Sequence, residues 1–351
     1  MKVTAQSAGG EDAPGPARPV MTDVARLAGV SQKTVSRVVR GEANVSPAVR
    51  DRVHAAIAEL GFRPNTAARA LASGRHRTLG IVTDGSALYG PSAQLVNLEH
   101  AAWKAGYAVM IAAAPGGDRD AFSRAIQRLV DGGVDGVLVG RSVLADAVTA
   151  ADLQGLVTIA VGDPPPPGAR IPAVVTDQQT GARLAVEHLL GLGHATVHHL
   201  SGPMSWHSAQ GRAQGWAEAL EGAGADVPAP VAGDWTSRSG YERGRELAAT
   251  DATAIFAAND QMAIGLTRAL TEAGRRVPED VSVVGFDDIP DAAYLPVPLT
   301  TVRQEFAELA ALAVDLFARE SATAARSSDA QVTVTPELIV RDSTAPPPDS
   351  P

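Results

Sequence analysis

Three segments near the N-terminus carry apolar residues at helical spacing, and each is bounded by residues typical of helix ends. Thr22 precedes DVARLA, Ser31 precedes QKTVSRVVR, and the pair Ser46-Pro47 opens AVRDRVHAAIAEL. The glycines that end the segments are Gly29, Gly41 and Gly61. The pattern predicts three short helices close together in the chain.

From Leu79 onward the pattern changes to short β-branched runs that alternate with amphipathic helical stretches. Such alternation predicts an α/β fold with parallel sheets and right-handed crossovers. Because the runs are too many for one small sheet, two doubly wound lobes are predicted. The runs lie at 79–83, 107–114, 136–140, 157–162, 173–177, 195–202, 252–260, 281–288 and 332–340.

The chain ends and the composition limit the class of protein. Residues 1–19 and 345–351 are rich in Gly, Pro or Ala without periodicity, so both are predicted to be disordered. Hydrophobic residues make up 45% of the 351, and the absence of cysteine excludes disulfides and thiolate chemistry. No apolar run reaches the ~20 residues of a membrane span, and no secretory signal is recognisable. A cytoplasmic protein without membrane contact is expected.

Charge is distributed unevenly along the chain. The net charge of −9 argues against nucleic-acid binding by the whole molecule. Residues 20–77, however, contain ten Lys/Arg and only four Asp/Glu, a net charge of +6, which leaves −15 for the remainder. A small basic head beside an acidic body is typical of a protein whose head meets phosphates. A solvated, helix-rich head explains the charge alone equally well.

The first two predicted helices have helix-turn-helix spacing. Ala25 allows two helices to cross closely, Gly29 supplies the turn, and Val30 and Val35 pack beneath. The second helix presents side chains suited to base edges near its start, namely Gln32, Lys33, Ser36 and Arg37. Ser31 and Thr34 are better placed for phosphate contact or capping. Helical hairpins in enzymes share this spacing, so it does not decide the function alone.

The segment FRPNTAARALASGRHRTLGIV joins the third helix to the first strand. Pro64 ends the preceding helix, and Asn65 can cap a short helix, TAARALA. Such a short helix is marginal in water and could become ordered only when docked, where Leu71 could wedge into a minor-groove step. The alternative is an ordinary inter-domain linker.

Several polar residues follow strands of the predicted lobes, where α/β folds bind ligands. They are Asp163, Asn259-Asp260 and Asp287-Asp288, with Arg212 at a nearby helix start and Trp235 as an aromatic face. Carboxylate, amide and guanidinium groups around an indole suit a sugar. Each residue alone could equally cap a strand end.

Catalytic and metal-binding patterns are not recognisable in the sequence. There is no phosphate-binding glycine loop of the Walker type, no G-x-S-x-G elbow and no H-E-x-x-H motif. His188, His194, His198 and His199 lack metal-ligand spacing on one face, so structural roles are expected. No enzyme, cofactor or metal is therefore predicted.

The segment TDVARLAGVSQKTVSRVVRGEANVSPAVRDRVHAAIAELGFRPNTAARALASG resembles the headpiece of the lactose-repressor (LacI/GalR) family of transcription regulators. The resemblance continues through TGARLAVEHLLGLGH, SGPMSWHSAQGRAQGW, FAANDQMAIGLTRAL and DVSVVGFDDIPDAAYLPVPLTTVRQEF, and covers about residues 20–343. Within the family, the resemblance to the lactose-repressor branch is the strongest.

The resemblance implies a head with a hinge helix, followed by a body of two lobes like those of periplasmic sugar-binding proteins. The implied head spans 20–64, the hinge helix and linker 65–77, and the body 78–344. The chain would cross between lobes three times. The implied first lobe comprises 78–176 and 305–330, and the second 177–304 and 331–344.

The resemblance also implies a homodimer that binds a palindromic double-stranded DNA operator. The implied DNA contacts are Thr22, Ser31, Gln32, Lys33, Thr34, Ser36, Arg37, Asn65, Arg69 and Leu71. Gln32 and Lys33 differ from the Tyr-Gln pair of the lactose-repressor branch, so a different half-site is expected. The C-terminus has no leucine heptads, which favours a dimer over a tetramer.

The resemblance also implies which residues contact the effector. Those that match sugar-contacting positions of the family are Asp163, Ser208, Arg212, Trp235, Asn259, Asp287 and Gln304. Those that match its apolar side are Leu88, Gly90, Pro91 and Phe306. Thr176 stands where the lactose-repressor branch has a bulky aromatic residue.

These positions imply a repressor released from DNA by a sugar, with a galactoside or related β-linked disaccharide as the expected effector. A co-repressor-dependent regulator remains an alternative. A soluble sugar-binding receptor is less favoured, because the chain has a basic head and no export signal.

Overall fold

The computed structural model describes residues 19–39, 41–42, 44–62, 76–115, 119–140, 153, 155–166, 168–323 and 330–348. The chain divides into two compact units, Met1–His76 and Arg77–Pro351. The first contains a helical head and the second an α/β body. Residues 1–18 of the predicted extension 1–19, and most of the predicted hinge segment, including Asn65, Arg69 and Leu71, lie outside the described residues.

The head has the predicted helix-turn-helix arrangement. Its helices are α1 (Met21–Ala28), α2 (Gln32–Val39) and α3 (Pro47–Leu60). Gly29 adopts a left-handed conformation with φ 63°, which lets the Val30 N–H donate to the Ala25 carbonyl at 3.0 Å and turns the chain into α2. The apolar stripes of the helices meet in a core of Val24, Val35, Val38, Val53 and Phe62.

One predicted helix start differs from the observed one. Thr22 was expected to precede α1, but the helix already begins at Met21. The Asp23 carboxylate accepts a hydrogen bond from the Val20 N–H at 3.0 Å, so the charged acceptor caps this end. Ser31 caps α2 as predicted, since its hydroxyl accepts from the Thr34 N–H at 3.1 Å.

The body alternates strands and helices as its pattern predicted. Its strands are β1 (Thr78–Thr83), β2 (Ala108–Ala113), β3 (Gly136–Gly140), β4 (Val157–Gly162), β5 (Ala173–Thr176), β6 (His198–Ser201), β7 (Val231–Ala232), β8 (Ala254–Ala257), β9 (Ser282–Asp287), β10 (Thr300–Arg303), β11 (Gln331–Val334) and β12 (Glu337–Ile339). Its helices are α4 (Tyr89–Lys104), α5 (Arg119–Asp131), α6 (Gln178–Gly191), α7 (His207–Gly222), α8 (Ser237–Ala248), α9 (Asp260–Glu272) and α10 (Phe306–Ala322), with a 3₁₀ helix at Pro290–Tyr294.

Two six-stranded sheets form the two lobes. The first has the order β11-β5-β4-β3-β1-β2, and all its pairs are parallel. The second has the order β12-β10-β9-β8-β6-β7, in which only the β10–β12 pair is antiparallel. In each sheet the chain starts at an inner strand, adds the second strand on one side of it, and then adds the third strand on the other side. This reversal of strand order creates a switch point beside the first strand. Ligand sites of α/β folds lie outside the carboxyl edge at such points.

Apolar layers cover both faces of each sheet. Phe122 and Leu129 of α5 cover one face of the first sheet, and Phe317 of α10 covers the other. Leu266 of α9 and Trp216 of α7 lie on opposite faces of the second sheet. Among the described helices, none is both long and apolar enough to cross a membrane.

The last predicted strand, 332–340, is in fact two strands in different sheets. Pro336 has no N–H for a ladder and separates β11, which pairs with β5, from β12, which pairs with β10. The resemblance implied that residues 331–344 all belong to the second lobe; this is wrong for residues 331–334, which pair with β5 in the first lobe.

The sequence pattern missed two strands and misjudged the C-terminus. β7 has only two residues, and β10 (TTVR) has too few apolar positions to show a strand period. The expected disorder of the tail is wrong for its first part. The Ala345 N–H donates to the Ser282 hydroxyl at 3.0 Å, and the Ala345 carbonyl accepts a hydrogen bond from the same hydroxyl at 3.0 Å.

Candidate functional site

A cleft of about 910 Å³, partly open to solvent, lies at the carboxyl ends of strands from both sheets. All eleven residues that the sequence singled out for the effector line it. They are Leu88, Gly90, Pro91, Asp163, Ser208, Arg212, Trp235, Asn259, Asp287, Gln304 and Phe306. Thr176, at the end of β5, lines the same cleft. The fold thus brings together residues that are more than 200 positions apart in sequence.

Arg212 organises the polar floor of the cleft. It lies on α7, is 4% exposed, and its guanidinium lies 3.7 Å above the Phe286 ring. Its Nε donates to Gln178 at 2.8 Å, Nη1 donates to the Ala258 carbonyl, and Nη2 reaches Asp287 at 3.4 Å. A buried guanidinium held by three acceptors is fixed in place and orients the groups around it.

Two glutamines close this arrangement into a ring. The Gln178 amide donates to the Gln304 side-chain oxygen at 3.1 Å, and the Gln304 amide donates to Asp287 at 2.7 Å. Arg212, Gln178, Gln304 and Asp287 therefore form a cycle of hydrogen bonds. Burial raises the pKa of Asp287, whereas the neighbouring Arg212 favours its charged form. Gln178 was not singled out from the sequence, although it opens α6 directly after β5.

The two acidic neighbours of the cleft residues have structural roles instead. Asp260 accepts from the Thr301 hydroxyl at 2.5 Å and from the Ile289 N–H at 2.8 Å, and burial raises its pKa well above the usual value. Asp288 accepts from Arg303 at 2.7 Å and from Arg341 at 2.6 Å. Of the two strand-end pairs, only Asn259 and Asp287 line the cleft.

Trp235 lines the cleft with its indole ring. Its ring is 5% exposed and packs so closely on Gly202 that a Cβ there would lie under 3.0 Å from the indole. The backbone is held at φ 76° while the Asn259 amide donates to the Trp235 carbonyl at 3.0 Å. Nε1 is buried and finds no acceptor among the described residues. Such strain and an unpaired donor are typical of a ligand site.

Two aromatic residues that sequence reasoning left out complete the apolar wall. Tyr89 meets Phe306 edge to face with ring centroids 6.2 Å apart, and Trp206 meets Trp235 in the same way at 5.9 Å. Both line the cleft and pack against the core of the second lobe. Trp206 follows β6, the strand at the switch point, and that position was the available signal in the sequence. Tyr89 directly follows the predicted Leu88.

The predicted DNA-contacting residues are displayed on the start of α2. Gln32 and Lys33 are exposed, and Ser36 and Arg37 are partly exposed. Arg37 Nε lies 3.7 Å from Glu42, both about two-fifths exposed. Ser31 and Thr34 bond each other through their hydroxyls at 2.9 Å, and Thr22 is exposed on α1. One helix thus offers amide and cationic side chains together.

The histidines lie in structural surroundings. Trp216 and Phe256 stack on His199 with centroids 5.2 and 4.9 Å away, and His199 Nδ1 donates to the Phe256 carbonyl at 3.0 Å. His194 contacts Thr253 and Ser282, and His188 contacts Thr344. In the described part of the chain, no three His, Asp or Glu side chains are placed to hold a metal ion.

Buried His199 predicts an acid-sensitive fold. Burial lowers its pKa to about 4, from 6.5 when exposed. Between these values the unfolded chain binds more protons than the native one, so stability is complete above pH 6.5 and falls as the pH drops toward 4. This group alone contributes a loss of about 3 kcal/mol. Denaturant unfolding of wild type and His199→Phe at pH 4.5 and 7 measures it. An equal pH dependence in both proteins would contradict this assignment.

Comparison with known proteins finds a matching family for each of the two units. Residues 20–65 match the family described as bacterial regulatory proteins, lacI family, and residues 186–344 match the periplasmic binding protein-like domain. The lactose operon repressor of Escherichia coli (strain K12) is 36% identical over 301 residues, which are 84% of this chain and 82% of that protein.

Solved structures give the same result. The lac repressor dimer bound to operator and the anti-inducer ONPF has a TM-score of 0.80 and 32% identity, over 94% of this chain and 100% of that one. The complex of the transcriptional regulator CelR with cellobiose has a TM-score of 0.68 and 31% identity, over 93% of this chain and 100% of that one.

Proposed function

The chain belongs to the lacI family of bacterial regulatory proteins, and from this premise we propose that it is a repressor released from its operator when a sugar binds in the cleft. Like its relatives, it is a DNA-binding transcription regulator and not an enzyme. We further propose that the sugar is a galactoside and that its binding weakens, rather than strengthens, the binding of the protein to DNA. Resemblance to the lactose operon repressor favours both.

The arrangement around Arg212 carries the proposal. A sugar presents hydroxyls that both donate and accept, so it needs carboxylate and amide oxygens beside N–H donors. Asp287, Gln304 and Asn259 supply such groups on rigid strand ends. The Trp235 indole lines the cleft and offers a ring face for the apolar side of a pyranose. Ordered, buried polar groups favour one hydroxyl pattern over others.

The head supplies the DNA contacts in this proposal. Gln32 suits adenine, and Lys33 or Arg37 suits guanine, in the major groove of an operator half-site. Two heads of a homodimer would bind the two halves of a palindrome, so the half-site spacing should be about one helical turn or a multiple of it. Asn65, Arg69 and Leu71 are proposed to bind near the operator centre, on sequence resemblance alone.

Replacing Lys33 tests the DNA contacts. Lys33→Ala is expected to weaken binding to DNA from the gene's own upstream region roughly 5- to 150-fold, because a good base contact contributes about 1–3 kcal/mol. Binding to unrelated DNA should weaken much less. Fluorescence anisotropy measures both affinities. Lys104→Ala, an exposed lysine on α4, is the matched control and should bind like wild type. Equal losses on the two DNAs would mean that Lys33 contacts only phosphate.

A further inference from the structure

We infer that an ion-pair cluster around Asp288 positions the cleft side chains Asp287 and Gln304. The cluster consists of Asp288, Arg303 and Arg341, and is named the clasp. The inference rests on the proposed function, because it assumes that a sugar contacts the two cleft side chains. It adds three positioning residues that hold the floor of the cleft without lining it.

The end of β9 has a backbone conformation that is uncommon for residues other than glycine. Asp287 and Asp288 are consecutive and adopt φ values of 110° and 51°. Such a conformation persists only where the surrounding contacts determine it. Asp287 lines the cleft, so the contacts that hold this part of the backbone also set the direction of its carboxylate.

The Asp288 carboxylate is held by two arginines from different parts of the chain. Arg303 Nε donates to one oxygen at 2.7 Å, and Arg341 Nη2 donates to the other at 2.6 Å. The Asp288 side chain is only 9% exposed. Hydrogen bonds between charged groups are about twice as strong as neutral ones, and burial reduces their screening by salt. The clasp therefore fixes Asp288 at both of its oxygens.

Arg341 is the more firmly held of the two cations. Its Nη1 donates to the Leu299 carbonyl at 2.8 Å, and its backbone N–H donates to the Thr300 hydroxyl at 2.9 Å. Its side chain is 17% exposed, against 41% for Arg303. Arg303 also lies 3.9 Å from a second carboxylate, that of Glu337. Loss of Arg341 should therefore affect the clasp most.

The clasp and the cleft use adjacent residues of the same two strand ends. β9 and β10 are parallel neighbours, with Asp287 opposite Arg303. In the cleft lining, the Gln304 amide donates to Asp287 at 2.7 Å. Outside that lining, their chain neighbours Arg303 and Asp288 bond each other. The strand ends are thus joined twice, and loss of the outer pair frees the two cleft side chains to shift.

Hydrogen exchange and calorimetry of the full chain test this inference together. Arg341→Gln is expected to speed amide exchange in residues 285–290 about tenfold, because the strand end opens more often. It should weaken the binding of galactose, lactose or cellobiose about tenfold, because the carboxylate loses its fixed direction. Arg341→Lys, which keeps the charge, should restore part of both. Arg276→Gln breaks an exposed ion pair with Asp280 and is the matched control that should change neither.

A double variant shows whether Arg341 acts through Asp288. In Asp288→Asn the carboxylate of the clasp is already absent. Adding Arg341→Gln should then cause no further loss of sugar affinity, since the effects of residues that share one contact are not additive. Fully additive losses would show that Arg341 acts by another route and would overturn the clasp.

The contrary outcomes separate the inference from the proposed function. Unchanged exchange at 285–290 in Arg341→Gln would overturn the inference, whether or not a sugar binds. Faster exchange with unchanged sugar affinity would mean that the clasp stabilises the fold without positioning the cleft residues. If the wild type bound none of the sugars, the sugar effector of the proposed function would be wrong, and the exchange rates would still decide whether the clasp holds the strand end.

Discussion

Replacing Arg212 by alanine is expected to abolish the response to effector while operator binding is retained. The substitution removes the donors to Gln178 and Ala258 and leaves Asp287, which is 6% exposed, without its cation. Breaking a buried pair in this way typically costs about 3–5 kcal/mol of stability. Loss of several fixed hydrogen bonds should weaken sugar binding by ~100-fold or more. Calorimetry with sugar and anisotropy with operator DNA measure the two effects.

A double variant separates stability from binding. Arg212→Met combined with Asp287→Asn removes both charges, so no uncompensated charge stays buried, and much of the lost stability should return. The sugar response should stay absent. Arg268→Ala serves as the surface control, because that guanidinium is 71% exposed and its pair with Glu272 contributes little. Normal release of operator by sugar in Arg212→Ala would show that the cleft is assigned wrongly.

Gly265→Ala is expected to destabilise the body strongly. Gly265 lies where α9 crosses α8, and a Cβ there would stand under 3.0 Å from the Ser237 carbonyl and the Tyr241 nitrogen. Backbone atoms cannot rotate away as a flexible side chain can, so the two helices would have to separate. Gly240 faces the Met262 backbone equally closely in the same crossing. We expect a loss of about 3 kcal/mol or more in the free energy of unfolding.

Gly222→Ala is the matched control for this crossing. Gly222 also lies in a helix, α7, but a Cβ there would meet nothing within 4 Å. Alanine should therefore stabilise the protein slightly, by about 0.5–1 kcal/mol, through its helix preference. Denaturant unfolding of the two variants measures the difference. If both substitutions had equal effects, close packing would not be the reason for glycine at 265.

Most strands were predictable because a strand that is buried on both faces can be recognised from its own run of apolar residues. β1, β3 and β4 are buried on both faces and read as continuous β-branched runs. β10 was missed because TTVR has too few apolar positions to show a strand period. Its threonines instead bond residues far away in the chain: the Thr301 hydroxyl donates to Asp260, and the Thr300 hydroxyl accepts from the Arg341 N–H. The split at Pro336 was readable in principle, since proline cannot donate within a sheet.

The cleft residues were predictable to the extent that they follow strands or match family positions. Asp163, Asn259 and Asp287 combine both signals. Trp206 and Tyr89 lie five and six residues past the ends of β6 and β1, so their placement depends on how the loops after those strands fold against the second lobe. Gln178 and Gln304 bond across 126 positions, a contact that no local pattern encodes.

The most direct test of the account is whether a sugar in the cleft changes the grip of the head on DNA. Operator affinity of the wild-type chain is measured by fluorescence anisotropy on its own upstream DNA, with and without lactose, other galactosides and cellobiose. We predict a 5- to 150-fold loss of operator affinity with one of these sugars, the range that corresponds to a coupling of about 1–3 kcal/mol. Unchanged or tightened operator binding, at sugar concentrations that calorimetry shows to saturate the cleft, would contradict it.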